Sequence, residues 1–265
     1  MATIKPVYLF SDSQMLFWRD GERLFLERLR DLLIEDLDPA EGSSRPLSAA
    51  YFGASNGDAP EFYELFLAAM DGIGIRNCRH IPARLGSDDL AFIEQADLLL
   101  FAGGDVRRGW DAFDANDLGA KIFARYYAGA LLVGISAGAI QLGLKGLDEG
   151  SDRLFDTFRV VPFVIDAHAE PDWPMLHRVV PRAGEHVKGI GIPTGGGLVY
   201  HPDYSLEPIR HPATEVYVGP EGKLVQTLLL PGEGPVDPQT PPERPDYLRE
   251  IEGADLGTPP LESIH

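Results

Sequence analysis

Gly134-Ile135-Ser136-Ala137-Gly138 is the stretch whose residue types and spacing could do chemistry. An apolar run at 130–133 leads into it and a helix-compatible stretch at 137–142 leads out. This is the strand–turn–helix setting of a G-x-S-x-G nucleophile elbow. Such a turn forces unusual backbone angles and crowds the positions beside the serine, where glycine has no Cβ to clash. Ser136 is then held at the carboxyl end of its strand, with the Ala137 N–H facing the space in front of the hydroxyl. The plainer alternative is a serine that caps a helix after a glycine turn.

A serine nucleophile needs a base, and the chain has seven histidines. His265 is terminal, His211 lies in a polar loop, and His177 and His186 fall in a segment that reads as an exposed helix. His80 and His201 sit within or at the ends of strands. His168 follows the apolar run 163–166, so it can reach across the top of a sheet. Gly103-Gly104-Asp105 ends another apolar run, 97–102, and Arg107 and Arg108 come next. Arginine forks a carboxylate through two hydrogen bonds, so either one could hold an acidic substrate group; a solvated loop pair is the plainer reading.

The elements that position these residues alternate in type. Strands are predicted at 7–10, 47–53, 76–82, 97–102 and 130–134, with helices at 21–37, 60–70, 90–95 and 118–127 between them. The nearly all-aliphatic run 97–102 is what a strand buried on both faces requires. The pattern predicts an α/β fold: a three-layer sandwich on a mostly parallel, flavodoxin-like sheet. In such sheets ligands sit beyond the carboxyl ends of the strands, where Ser136 and Gly103-Gly104-Asp105 both fall. The second half reads as short strands at 156–161, 163–166, 189–192, 198–201, 215–219 and 224–230, the last two forming a hairpin around 219–222. From Pro231 prolines and acids dominate, which divides the chain into an α/β domain at 1–230 and an irregular tail at 231–265.

Composition narrows the partners. A net charge of -18 argues against nucleic acid, which requires a basic surface. No apolar run approaches a membrane span, and the N-terminus lacks a basic region followed by an apolar stretch, so a cytoplasmic protein is expected. The single cysteine, Cys78, excludes an internal disulfide and reads as a buried thiol on a strand. A homodimer is left open.

Three segments together resemble a known family: 98–105, 133–139 and 164–168 look like the peptidase E and cyanophycinase family of serine peptidases. The segment 50–75 is similar to that family's first βαβ unit, and the resemblance runs over about 5–230. It implies the class I glutamine amidotransferase-like fold, with serine where the amidotransferases carry cysteine. It further implies Ser136 as nucleophile and His168 as base, with an oxyanion hole from the N–H groups of Ala137 and one of Gly103, Gly104 and Asp105. No metal or cofactor is implied, and the substrates would be small acidic or isopeptide-linked peptides. The chain departs from the family where a glycine-isoleucine-aspartate-glutamate run would supply a catalytic acid, because Gly191-Ile192 is followed by Pro193-Thr194. Two carboxylates are candidates for the missing role. Glu170 stands two residues after His168, as in the His-x-Glu pair of the amidotransferases, and an extended 168–170 would turn both side chains to one face. Asp152 lies near the spacing after the serine that peptidase E uses. The alternatives to a peptidase are a binding protein that keeps the fold and another serine acyl hydrolase, an esterase or amidase.

Overall fold

The computed structural model describes residues 3–35 and 45–232; positions 36–37 of the expected first helix and the tail from 233 lie outside the described residues. The chain runs β1 (Val7–Phe10), a small hairpin β2 (Arg19–Asp20) and β3 (Arg23–Leu24), α1 (Phe25–Glu35), β4 (Ser48–Phe52), α2 (Pro60–Gly72) and β5 (Asn77–Ile81). There follow α3 (Ser87–Ile93), β6 (Leu98–Phe101), α4 (Val106–Ala115), α5 (Leu118–Tyr127), β7 (Leu131–Ile135) and α6 (Ala137–Leu142). The remainder is β8 (Lys145–Asp148), β9 (Arg153–Asp156), β10 (Val164–Ala167), α7 (Pro174–Ala183), β11 (Gly189–Ile192), β12 (Gly197–Tyr200), β13 (Leu206–Ile209), β14 (Ala213–Val218) and β15 (Leu224–Leu229).

Seven strands form the central sheet in the order β13-β12-β1-β7-β6-β4-β5. The five from β1 to β5 are parallel, and β12 and β13 extend the sheet antiparallel. The order β5-β4-β6-β7 reverses direction between β4 and β6, so the loops after those strands diverge and open a crevice at the carboxyl edge. Alternate residues of each strand enter different cores. Tyr8, Phe10, Tyr51 and Leu100 pack with Phe25, Leu29, Phe66 and Met70 of α1 and α2. Leu9, Phe52, Phe101 and Leu132 pack with Phe113, Ile122 and Leu142 of α4 to α6. This is the three-layer α/β sandwich with a mostly parallel sheet. A second sheet, β10-β11-β14-β15, covers part of one face through Ile165, Ile190 and Ile192, and α7 packs on it through Leu176, Val179 and Val180.

Three differences from the sequence reading have local causes. α4 was not predicted; Arg107, Arg108, Asp111 and Asp114 interrupt its apolar residues, but Asp105 caps it by accepting the Arg108 N–H at 2.8 Å. The helix expected from 21 begins at Phe25, because Gly21, at φ 62, turns the β2–β3 hairpin first. The strand expected at 156–161 does not form beyond Asp156. The Phe158, Val161 and Arg159 N–H groups instead donate to the carbonyls of Gln141, Leu142 and Gly143, satisfying the end of α6. Among the described residues no helix is long and apolar enough to cross a membrane.

Candidate active site

The elbow forms as its glycines require. Ser136 follows β7 at φ 50 and ψ −110, a conformation that costs a non-glycine residue about 1–3 kcal/mol. It persists because its surroundings fix it. The Ser136 N–H donates to the Phe10 carbonyl at 2.8 Å, and its carbonyl starts α6 by accepting from Ile140. A Cβ on Gly134 would fall 2.7 Å from the Ala139 nitrogen, and one on Gly138 would fall 2.1 Å from the Phe101 carbonyl oxygen. Strand and helix therefore meet backbone to backbone. This close packing turns Ser136 outward at the carboxyl edge.

The small sheet brings the histidine. His168 follows β10, and its N–H donates to the Ile192 carbonyl at 2.9 Å, prolonging the pairing with β11. Its backbone then turns left-handed, at φ 48, and its Nε2 lies 2.8 Å from Ser136 Oγ. In that geometry the serine hydroxyl donates to Nε2 when the ring proton is on Nδ1. Nδ1 has no hydrogen-bond partner among the described residues.

The loop after β6 supplies the neighbouring donors. Gly103 lies against the serine: a Cβ there would be 3.3 Å from Ser136 Cβ. Gly104 has φ 134, and a Cβ on it would fall 2.3 Å from the Ser55 carbonyl oxygen, so only glycine fits. Asp105 must be removed from the expected oxyanion donors, because its N–H is committed to the Ser55 carbonyl at 2.8 Å. The N–H groups of Gly103, Gly104 and Ala137 have no acceptor among the described residues.

The carboxylates fall into different places. The extended 168–170 segment does not form, since His168 is left-handed. Glu170 instead accepts the Thr194 N–H at 3.1 Å, across the loop that joins β11 to β12. Desolvation pushes its pKa up, but hydrogen bonds from its own N–H and from Thr194, with the nearby His168, hold it below the ordinary glutamate value. Asp12 and Ser11 brace the same loop, accepting the N–H groups of Gly195 at 2.6 Å and Gly196 at 3.2 Å. Asp152 is elsewhere: at the β8–β9 turn it pairs with Arg178 and Arg182 of α7, at 2.7 and 3.1 Å. Those hydrogen bonds, Arg178 first, lower its pKa.

A carboxylate the sequence reading passed over is Asp166. It is 5% exposed and its Oδ2 has no hydrogen-bond partner among the described residues, while Oδ1 accepts the Ala167 N–H. Burial raises its pKa to about 6, opposed by the Ala167 hydrogen bond and by His168. The available signal was a lone acid in the apolar strand Val164–Ala167. Of the two arginines, Arg107 pairs with Asp111 at 2.6 Å and lies over the Phe155 ring. Arg108 is exposed, makes no ion pair among the described residues, and sits over Gly57 at the crevice. Among the described residues no cluster of three or more His, Cys, Asp or Glu side chains could hold a metal ion. His186 lies beyond α7 rather than in it, and Cys78 is half-buried, with burial raising its thiol to about 11.

No family model matches the chain, and no curated protein matches it. Solved structures do. A peptidase from an acI-B1 Actinobacterium superposes with a TM-score of 0.64 at 19% identity, over 88% of this chain and 97% of that one. A protein from Listeria monocytogenes EGD-e named for peptidase E superposes with a TM-score of 0.52 at 14% identity, over 86% of this chain and 100% of that one. At these identities the shared property is the fold.

Proposed function

We propose that the chain is a serine peptidase that hydrolyses small peptides, acidic or isopeptide-linked, by acyl transfer. The observation that carries the reading is the 2.8 Å contact between Ser136 Oγ and His168 Nε2, made by a serine held in a strained elbow. In this reading Ser136 attacks the carbonyl carbon while His168 takes its proton. The developing oxyanion is received by the N–H of Ala137 and those of Gly103 and Gly104. His168 then returns the proton to the leaving amine, and water completes the cycle by the same route. Glu170 stabilises the imidazolium electrostatically, in the role for which Thr194 has no carboxylate. Arg108, the cation at the crevice with no ion pair among the described residues, would take a substrate carboxylate. The fold shared with two structures named as peptidases favours a peptidase over an esterase.

A second reading, a binding protein on this fold, is favoured by one observation: no acceptor among the described residues holds His168 Nδ1. A fluorophosphonate probe separates the two. An activated Ser136 labels covalently and Ser136→Ala does not; an unlabelled wild type supports the binding protein. A dipeptide panel set against simple esters then separates peptidase from esterase.

A further inference from the structure

Beneath the loop after β6 lies a polar side chain that the proposed chemistry does not use. Gln141, on α6, is fully buried. A buried amide is costly unless it is hydrogen-bonded. Here Nε2 donates to the Val106 carbonyl at 2.9 Å and to Ser55 Oγ at 3.1 Å, and Oε1 lies 3.3 Å from the same hydroxyl. The Ser55 carbonyl in turn accepts the Asp105 N–H. The chain therefore leaves β6, passes through Gly103 and Gly104, and is tied at 105 and at 106. Both ties lead to the pair Ser55 and Gln141. Space for this arrangement is cleared at Gly109, where a Cβ would fall 2.1 Å from Ser55 Oγ and 2.4 Å from Gln141 Nε2.

We propose that Gln141 is a positioning residue that sets the Gly103 and Gly104 N–H groups relative to the Ser136 hydroxyl. The inference rests on the acyl-transfer reading above. Ser136 is the N-cap of α6 and Gln141 lies on the same helix, near its end. The helix that carries the nucleophile thus also holds the loop that would receive the oxyanion. Oxyanion donors act only when fixed before charge develops, and a misplacement near 1 Å costs about 100-fold in rate. Without the Gln141 carboxamide, the Val106 carbonyl and Ser55 Oγ both lose a buried donor. The loop is then tied only through Asp105.

The test is the second-order rate of labelling by a fluorophosphonate, in which Ser136 Oγ displaces fluoride from phosphorus and gives its proton to His168. Gln141→Met, which keeps the volume and removes the hydrogen bonds, is expected to slow labelling about 10- to 100-fold. Ser55→Ala, which leaves the bond to Val106, is expected to slow it less. Ile122→Val, a core substitution in α5, serves as the control for lost stability: its Tm falls while its labelling rate stays at the wild-type value. Gln141→Met labelling at the rate of that control overturns the inference. If Gln141→Met does not fold, Ser55→Ala decides, and an unchanged rate overturns it. A wild type that does not label, or a Ser136→Ala protein that labels equally fast, overturns the acyl-transfer reading itself and the inference with it.

Discussion

On one side of the site, Gly134, Gly138 and Gly104 leave no room for a side chain, and Ser136 is held between β7 and α6 by backbone packed on backbone. On the other side, His168 and Glu170 are exposed and follow the edge strand β10 of the smaller sheet; the His168 N–H donates to the Ile192 carbonyl, and the Glu170 carboxylate accepts from Thr194. The nucleophile side tolerates almost no displacement. The histidine side places one ring nitrogen at the serine and leaves the other without a partner among the described residues. Substitutions on the two sides should therefore fail differently, by geometry on the first and by electrostatics on the second.

The largest effect belongs to the nucleophile itself. Ser136→Ala should reduce kcat by about 10⁴-fold or more with the melting temperature preserved, since only binding and the oxyanion donors remain. Turnover near wild type would leave the serine hydroxyl without a role, since it makes no capping hydrogen bond to α6. Next on the same side, Gly104→Ala should reduce kcat by about 100-fold, because a Cβ 2.3 Å from the Ser55 carbonyl must displace the loop. A change confined to KM would place Gly103 and Gly104 in substrate binding instead.

This same contrast governs what could be read from the sequence. The elbow was legible because its glycines are demanded by local sterics, and α6 spans Ala137–Leu142, the stretch expected to be helical. The parallel strands were legible because burial on both faces leaves unbroken apolar runs such as Leu98–Phe101. On the histidine side, His168 was legible as the histidine that follows an apolar run, and it lies against Ser136, but the backbone around it was not, because long-range contacts decide its geometry. His168 takes φ 48 to reach Ser136, against the extended segment expected, and Glu170 turns to the Thr194 N–H across a loop 24 residues away. Residues 157–161 were misread as a strand because nothing local reveals that their N–H groups belong to the end of α6. Ser55 and Gln141, 86 residues apart, could only be joined by the fold.

On the histidine side, Glu170→Gln tests electrostatics with little change of shape. Its side-chain oxygen can still accept the Thr194 N–H, so the loop should hold while the negative charge near His168 is lost. The expected outcome is a loss of about 10- to 100-fold in kcat, with KM unchanged. An equal loss of stability and activity would make Glu170 a brace for the loop and nothing more. Asp166 tests the same side through stability. Its carboxyl, raised to about 6, binds its proton more tightly in the fold than in the unfolded chain. The fold therefore loses stability as pH rises from about 4 to 6, by about 3 kcal/mol in full. Asp166→Asn should remove that loss, raising Tm at pH 7.5 and leaving it nearly unchanged at pH 4. A variant less stable than wild type at pH 7.5 would show that the ionised form has a partner.

The smallest effect is expected at Asp152, and it bears on which region supplies a third member to the site. The spacing after Ser136 made it a candidate, but spacing along the chain does not fix distance when a hairpin intervenes. Asp152 sits in the β8–β9 turn at φ 53, and its carboxylate is shared by Arg178 and Arg182, while the Arg182 guanidinium also donates to its carbonyl at 2.6 Å. These contacts join the turn to α7, and the groups are exposed, so water and salt screen them. Asp152→Asn keeps one acceptor for the arginines and removes only the charge. Its kcat/KM should stay within about twofold of wild type, and its Tm should change little. A loss of 100-fold (on the scale expected for Glu170→Gln) with Tm preserved would mean that the turn leaves α7 and delivers its carboxylate to His168 when substrate binds. The base would then be completed from the β8–β9 hairpin, and Glu170 would be left as the tie between His168 and the loop before β12.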